Sequence, residues 1–404
     1  MSGPIRSTTL ARVYGTAKTC QSQVAEDLKP ALRVGVGRAG SDPWWQLRES
    51  ALAAARESEH PIHGVRQEPT VPAIWGRLIV SVVQPLSVSR DVRGSRRRLC
   101  EPLEMNLRVP DVVANAAAAC GAGGWLRDLP RLIAELEAEW SVSVGRPFPH
   151  SSEAFVAEAS LADGTPAVLK LLIPQDGAAG RHEITTLRLA GGQGCVGLLR
   201  DDAARGALLL ERLGPSLYDL GRPLAERLEI LVTAAVTVWR PAAGSGLPTG
   251  ADKARQLVDF VTTQWEELGH PCTEAAVEHA LACAARRRAA HDDERAVLVH
   301  GDVHQLNALQ VPGRDTFKLV DPDGLLAEAE CDLGVMMRND PIELLDGDPW
   351  ARAHWLAERC GLDTTAIWEW GVVERVTSGL RCTRINLQPL GRHMLKVADH
   401  LATL

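Results

Sequence analysis

The sequence predicts an α+β chain of two unequal lobes, a small β-rich one and then a larger helical one, with an irregular extension ahead of both. Three observations carry this expectation. Short apolar runs bounded by turn residues crowd residues 141–172 and return on both sides of a polar turn at Arg200–Arg205. From Pro223 onward apolar residues recur at helical spacing, as in Leu224, Leu228, Leu231 and Val238. Residues 1–104, rich in Arg, Ser, Gly and Pro, keep neither period. The expected boundaries are therefore 1–104 for a poorly ordered extension, 105–213 for the first lobe and 214–404 for the helical lobe.

Taken in order, Asp128-Leu129-Pro130 reads as a helix start, and Leu132, Ile133, Leu136 and Trp140 share one helical face. Three short strands follow, with Asp163-Gly164 as the hairpin turn between the second and third. A helix is expected from about Gly180 to Ala190, stopped by Gly191-Gly192. Two more strands flank the polar turn, the second being Ala207–Leu210, and a connector at Glu211–Gly214 leads into the helical region.

Composition narrows the class. The chain has 404 residues, 45% hydrophobic and 24% charged, enough apolar material for two packed domains. The apolar run Ile74–Val88 is broken by Arg77, Gln84 and Pro85, and the N-terminus lacks a signal-peptide core, so a soluble cytoplasmic protein with no membrane partner is expected. Nine cysteines without a CxxC pair predict reduced thiols. Residues 1–104 hold 15 Lys and Arg against 10 Asp and Glu, and residues 105–404 hold 29 against 41. The acidic remainder suits a cationic ligand better than nucleic acid. The basic run Arg93, Arg96, Arg97 and Arg98 reads as a solvated linker.

The strongest chemical signal is His300-Gly301-Asp302-Val303-His304-Gln305-Leu306-Asn307, followed by Asp321 at the end of Lys318-Leu319-Val320. Phosphoryl transfer needs a carboxylate to orient and deprotonate the attacking hydroxyl, and oxygen ligands to hold Mg²⁺ against the phosphates. Asp302 is the candidate base, Asn307 and Asp321 the candidate metal ligands. The alternation of His300, Asp302 and His304 also allows a hydrolase metal site. Lys170, in the apolar run Ala167–Leu172, is one of only four lysines after residue 104 and is the candidate phosphate ligand. Glu183, thirteen residues later on the next helix, is its candidate partner. Glu211 and Leu213 belong to the connector whose backbone would meet adenine. ATP is the expected cosubstrate, bound between the lobes of a protein-kinase-like fold. The Gly35–Gly40 match to G-x-G-x-x-G lacks the flanking βαβ pattern, and no P-loop motif occurs. The loop at Gly145–Ser152 is placed to cover the phosphates but is not glycine-rich.

These residues resemble the aminoglycoside and hydroxyurea phosphotransferase family, which includes streptomycin 6-phosphotransferases. The resemblance covers residues 105–404 and rests on ADGTPAVLKL, LLLERLGPSL, VWRPAAGSGLPTG, LVHGDVHQLNAL and VDPDGLLAEAECDLGVMMRNDP. Gln305-Leu306, in place of a bulkier aromatic before Asn307, departs from its pattern. The resemblance implies ATP and Mg²⁺ use, a hydroxyl acceptor, the roles given for Asp302, Asn307 and Asp321, and Asp332 as a cap of the next helix. The extension has no counterpart there, and reads as an added segment or an upstream start with Met105 as the true one. Streptomycin's two guanidinium groups suit an acidic lobe, and Asp323, Glu330 and Asp340 are candidates to face them. Hydroxyurea is the other acceptor expected. A metabolite kinase for choline, homoserine or a sugar is the alternative. A non-enzymatic relic would have lost some of Lys170, Asp302, Asn307 and Asp321.

Overall fold

A computed structural model of the chain describes residues 109–149, 154–174, 179–345 and 347–404. The expected extension, its basic run, the Gly35–Gly40 motif and Met105 lie outside the described residues, as do residues 150–152 of the loop expected over the phosphates.

The first lobe opens with helices α1 (Asp111–Ala119) and α2 (Gly123–Trp140). The second starts earlier than the sequence suggests, with Pro130 inside it. An interior proline costs about 3 kcal/mol. The apolar stripe continues toward the N-terminus through Leu129, Trp125 and Ala122, all packed in one core, and that burial offsets the cost. Strands β1 (Val142–Pro147), β2 (Ala154–Leu161), β3 (Pro166–Leu172), β4 (Leu198–Asp202) and β5 (Ala207–Glu211) form one antiparallel sheet in the order β1-β2-β3-β5-β4. Asp163-Gly164 makes the expected β2–β3 turn, with Gly164 at φ 85° and the Thr165 amide donating to Asp163 Oδ1 at 2.9 Å. The period of two sorts the side chains. Phe155, Ala157, Leu169, Leu171 and Leu209 pack on the helices, which turns their neighbours Val156, Val168, Lys170 and Leu210 to the opposite face. Helix α3 (Ala179–Ala190) follows β3 in sequence.

The second lobe is helical: α4 (Leu224–Val238), α5 (Gly250–Glu267), α6 (Glu274–Ala289), α7 (Glu330–Met337), α8 (Ala351–Cys360), α9 (Thr364–Arg384) and α10 (Leu390–Leu401). Thr249 and Asp252 form a reciprocal capping box at the start of α5. Helix α9 is the hub, packing on α5, α6, α7, α8 and α10. At its crossing with α7 a Cβ on Gly334 would lie 2.2 Å from Trp370 Cβ, so glycine sets how closely the two helices approach. Between α6 and α7 run two short antiparallel pairs, β6 (Val297–Val299) with β9 (Leu325–Ala327), and β7 (Ala308–Gln310) with β8 (Phe317–Leu319). Their loops carry residues 300–307 and 320–324. The described residues form a two-lobed kinase-like architecture, as the sequence predicts. Among the described residues no helix is long and apolar enough to cross a membrane.

Candidate active site

Because Leu169 and Leu171 face the helices of the first lobe, Lys170 faces away from them, between Val156 on β2 and Leu208 on β5. It is 7% exposed and donates to Glu183 Oε1 at 2.6 Å and to Asp321 Oδ1 at 2.8 Å. Burial alone would lower the ammonium's pKa, but Asp321 and Glu183 outweigh it and raise it above the ordinary lysine value. The lysine is therefore a permanent cation between one buried carboxylate and one that opens into the cleft. Asp321 itself sits at φ 58°, a left-handed conformation that few residues other than glycine adopt.

The 300–307 loop is pinned by Asp332. Its carboxylate accepts the His300 amide at 3.0 Å, the Gly301 amide at 2.7 Å and the Trp239 indole N–H at 2.9 Å. This corrects the expected role: Asp332 lies within the first turn of α7, whose N-cap makes no side-chain bond, and it fastens the loop instead of capping the helix. Gly301, at φ 88°, passes so close to Asp323 that a Cβ there would meet Asp323 Cβ at 2.9 Å. His300 is fully buried, accepts the Asp302 amide at Nδ1 (3.2 Å) and donates from Nε2 to the Val320 carbonyl (3.0 Å). Burial lowers its pKa, so it is a neutral staple between the two loops. His304 accepts the Leu306 amide at Nδ1 (3.2 Å) and donates from Nε2 to Asp302 Oδ2 (3.1 Å). Neither ring keeps a free lone pair, which removes the hydrolase reading of the H-x-D-x-H pattern. Among the described residues no three His, Cys, Asp or Glu side chains gather as a metal site.

Asp302 is held from three sides. Arg338 Nη2 donates to Oδ1, while His304 and Asn307 Nδ2, the latter at 3.0 Å, donate to Oδ2. Burial pushes its carboxyl up, yet His304 and Arg338 hold it well below the usual carboxylate range, so it is ionised at neutral pH. Asn307 Nδ2 also donates to the Asp302 carbonyl at 3.1 Å. With its nitrogen committed to two acceptors, the amide oxygen is left as the group Asn307 can offer a cation. The Val320 amide donates to the Asn307 carbonyl at 2.8 Å, joining the Asp302 loop to the Asp321 loop.

Val156, Val168, Lys170 and Leu210 of the first lobe and Leu309, Val320 and Asp321 of the second line one cleft, with Glu211 and Leu213 at its connector side. One oxygen of the Glu211 carboxylate, Oε1, accepts the Gly197 amide at 2.6 Å and pairs with Lys318. Sequence reasoning missed Lys318 here and Arg338, Glu374 and Lys253 behind Asp302. The scarcity of lysine was a usable signal for Lys253 and Lys318. Of the three carboxylates expected to face a cationic acceptor, Glu330 is buried and accepts the Asp363 amide at 3.1 Å. Asp340 pairs with Arg227 at 3.2 Å. Asp323 alone of the three is exposed, yet the protein packed around its carboxyl together with Asp302 pushes it up to about 6.

The profile of the aminoglycoside/hydroxyurea antibiotic resistance kinase family matches residues 140–385. The hydroxyurea phosphotransferase of Kitasatospora aureofaciens is 36% identical over 160 residues, which are 39% of this chain and 45% of that protein. The chain therefore spans under half the length of that relative. The streptomycin 6-kinase of Streptomyces glaucescens is 27% identical over 236 residues, 56% of this chain and 73% of that protein. Among solved structures, choline kinase LicA from Streptococcus pneumoniae matches with a TM-score of 0.47 and 13% identity, over 69% of this chain and 99% of that one.

Proposed function

This chain belongs to the aminoglycoside/hydroxyurea antibiotic resistance kinase family, and on that premise we propose that it transfers the γ-phosphoryl group of ATP to a hydroxyl of a small antibiotic of the streptomycin or hydroxyurea kind. The observation that carries the proposal is the linkage of two clusters through adjoining loops: Lys170 between Glu183 and Asp321, and Asp302 bonded to Asn307, whose carbonyl accepts the Val320 amide next to Asp321.

In this reading Lys170 neutralises the nucleotide phosphates, and Glu183 keeps its ammonium aimed at them. Adenine lies between Val156 and Val168 on one side and Leu309 and Val320 on the other, against the backbone of Glu211–Leu213. Asn307 Oδ1 and the Asp321 carboxylate are hard oxygen donors that fit magnesium, and two protein ligands suffice because phosphates and water complete its shell. Bound there, magnesium would offset the charge of the transferring group. Asp302, ionised and partly exposed, orients the acceptor hydroxyl and takes its proton as the new O–P bond forms.

For the acceptor, 29 basic against 41 acidic residues in 105–404, with Asp323 exposed beside the Asp302 loop, favour a guanidinium-bearing molecule such as streptomycin over neutral hydroxyurea. Expression of the full chain in a bacterium sensitive to both drugs tests this. Protection against streptomycin is expected, and none from the Asp302→Asn variant. Protection against neither drug by a soluble protein that consumes ATP would favour a metabolite kinase. Protection that persists in the variant would contradict phosphorylation as its mechanism.

A further inference from the structure

We propose that Arg338 is a positioning residue that sets which oxygen of Asp302 receives the acceptor hydroxyl; the inference rests on Asp302 being the base. Arg338 immediately follows α7, and the backbone around it is clamped. Arg352, fully buried, donates from Nη1 to the Asn339 carbonyl at 2.6 Å and to the Met336 carbonyl at 3.4 Å. Arg375, 1% exposed, donates to the Met337 carbonyl. Two guanidiniums at a helix C-terminus match the negative end of its dipole.

From this fixed base Arg338 reaches two carboxylates. Its Nη1 donates to Glu374 Oε2 at 2.9 Å and its Nη2 to Asp302 Oδ1. Glu374 also pairs with Lys253 at 2.8 Å, and Lys253 donates to the Gly301 carbonyl at 2.8 Å. One buried glutamate thus anchors, through two cations, both the Asp302 carboxylate and the peptide just before it.

A carboxylate offers about four acceptor sites. On Asp302, His304 and Asn307 fill those of Oδ2, and Arg338 takes one of Oδ1. The site left for the acceptor hydroxyl is the second one on Oδ1, the oxygen whose direction Arg338 fixes. Without Arg338 the carboxylate is held on one oxygen only, and Oδ1 can swing out of line with the phosphoryl group.

The test compares Arg338→Met and Arg338→Lys in the full chain, alone and with Asp302→Asn. It follows thermal unfolding and ADP formation from magnesium-ATP with streptomycin, hydroxyurea or water as acceptor. Arg338→Met should fold, because Glu374 keeps Lys253. Its kcat should fall about 10²-fold, the size of effect that misplacing a reacting group produces, with the KM for ATP changed less than about threefold. Arg338→Lys should recover about tenfold of that loss, since it restores a donor without the fork. Added to Asp302→Asn, Arg338→Met should cost less than about threefold more, because the group it positions no longer acts as a base. A kcat within about twofold of wild type, or the same hundredfold loss in the Asp302→Asn background, overturns the proposal. So does unfolding of both Arg338 variants, which would make the role purely structural. An Asp302→Asn enzyme with undiminished turnover would instead remove the base on which the inference stands.

Discussion

Turnover of the Asp302→Asn variant should fall by roughly 10²–10⁴-fold, the range for losing a positioned base. The geometry argues for the upper part of that range. Arg338, His304 and Asn307 all donate to the carboxylate, and an amide offers them one oxygen instead of two. Its NH₂ group must face one of these donors, so the side chain loses its alignment as well as its basicity. Folding should survive, because Arg338 keeps Glu374 and the loop keeps its bonds to Asp332. Nucleotide affinity, measured by ADP titration, should weaken only modestly, through the lost Asn307 contact. Near-normal turnover would remove Asp302 from its role.

Lys170→Met should act on stability and catalysis together. Methionine fills much the same volume but leaves Glu183 and Asp321 without the cation between them. Removing one partner of a buried ion pair costs about 3–5 kcal/mol. Asp321 is half open to water, so the lower end is expected here. Turnover should drop by about 10²-fold or more as a charge on the transferring phosphates disappears, and the KM for ATP should rise. Thermal unfolding with and without magnesium-ADP separates the two effects. The apoprotein should melt earlier, and the nucleotide should raise the melting point less than it does in the wild type. An unchanged response to nucleotide would mean that Lys170 does not reach the phosphates.

What could be read in the sequence was what lies close along the chain. The apolar run around Lys170, the thirteen-residue step to Glu183 and the Asp302-to-Asn307 interval are local patterns, and the structure places these groups as pairs. The groups behind Asp302 were hidden because they come from distant segments. Arg338 meets Glu374 across 36 residues, and in the sequence Glu374 looks like any helix glutamate. Asp332 was misread for a related reason. An acidic residue near a helix start suggests a cap, and nothing local shows that its carboxylate reaches back 32 residues to His300. Strands β6 to β9 have three residues each, too few to show a period, and they are held by their partners. The motifs that mark the family are partly structural. Trp239 holds Asp332, and Arg240 donates to the carbonyls of Ala190 (3.0 Å) and Thr237 (2.8 Å), tying α3 to α4.

The central claim is that the chain moves a phosphoryl group onto a hydroxyl under the direction of Asp302. Mass spectrometry of streptomycin and hydroxyurea after incubation with magnesium-ATP and the purified full chain tests it most directly. Streptomycin should gain the mass of one phosphate, with one ADP formed per modified molecule, and the Asp302→Asn protein should leave the drug unmodified over the same interval. Formation of ADP with no phosphate on either drug, or equal modification by the variant, would contradict the account.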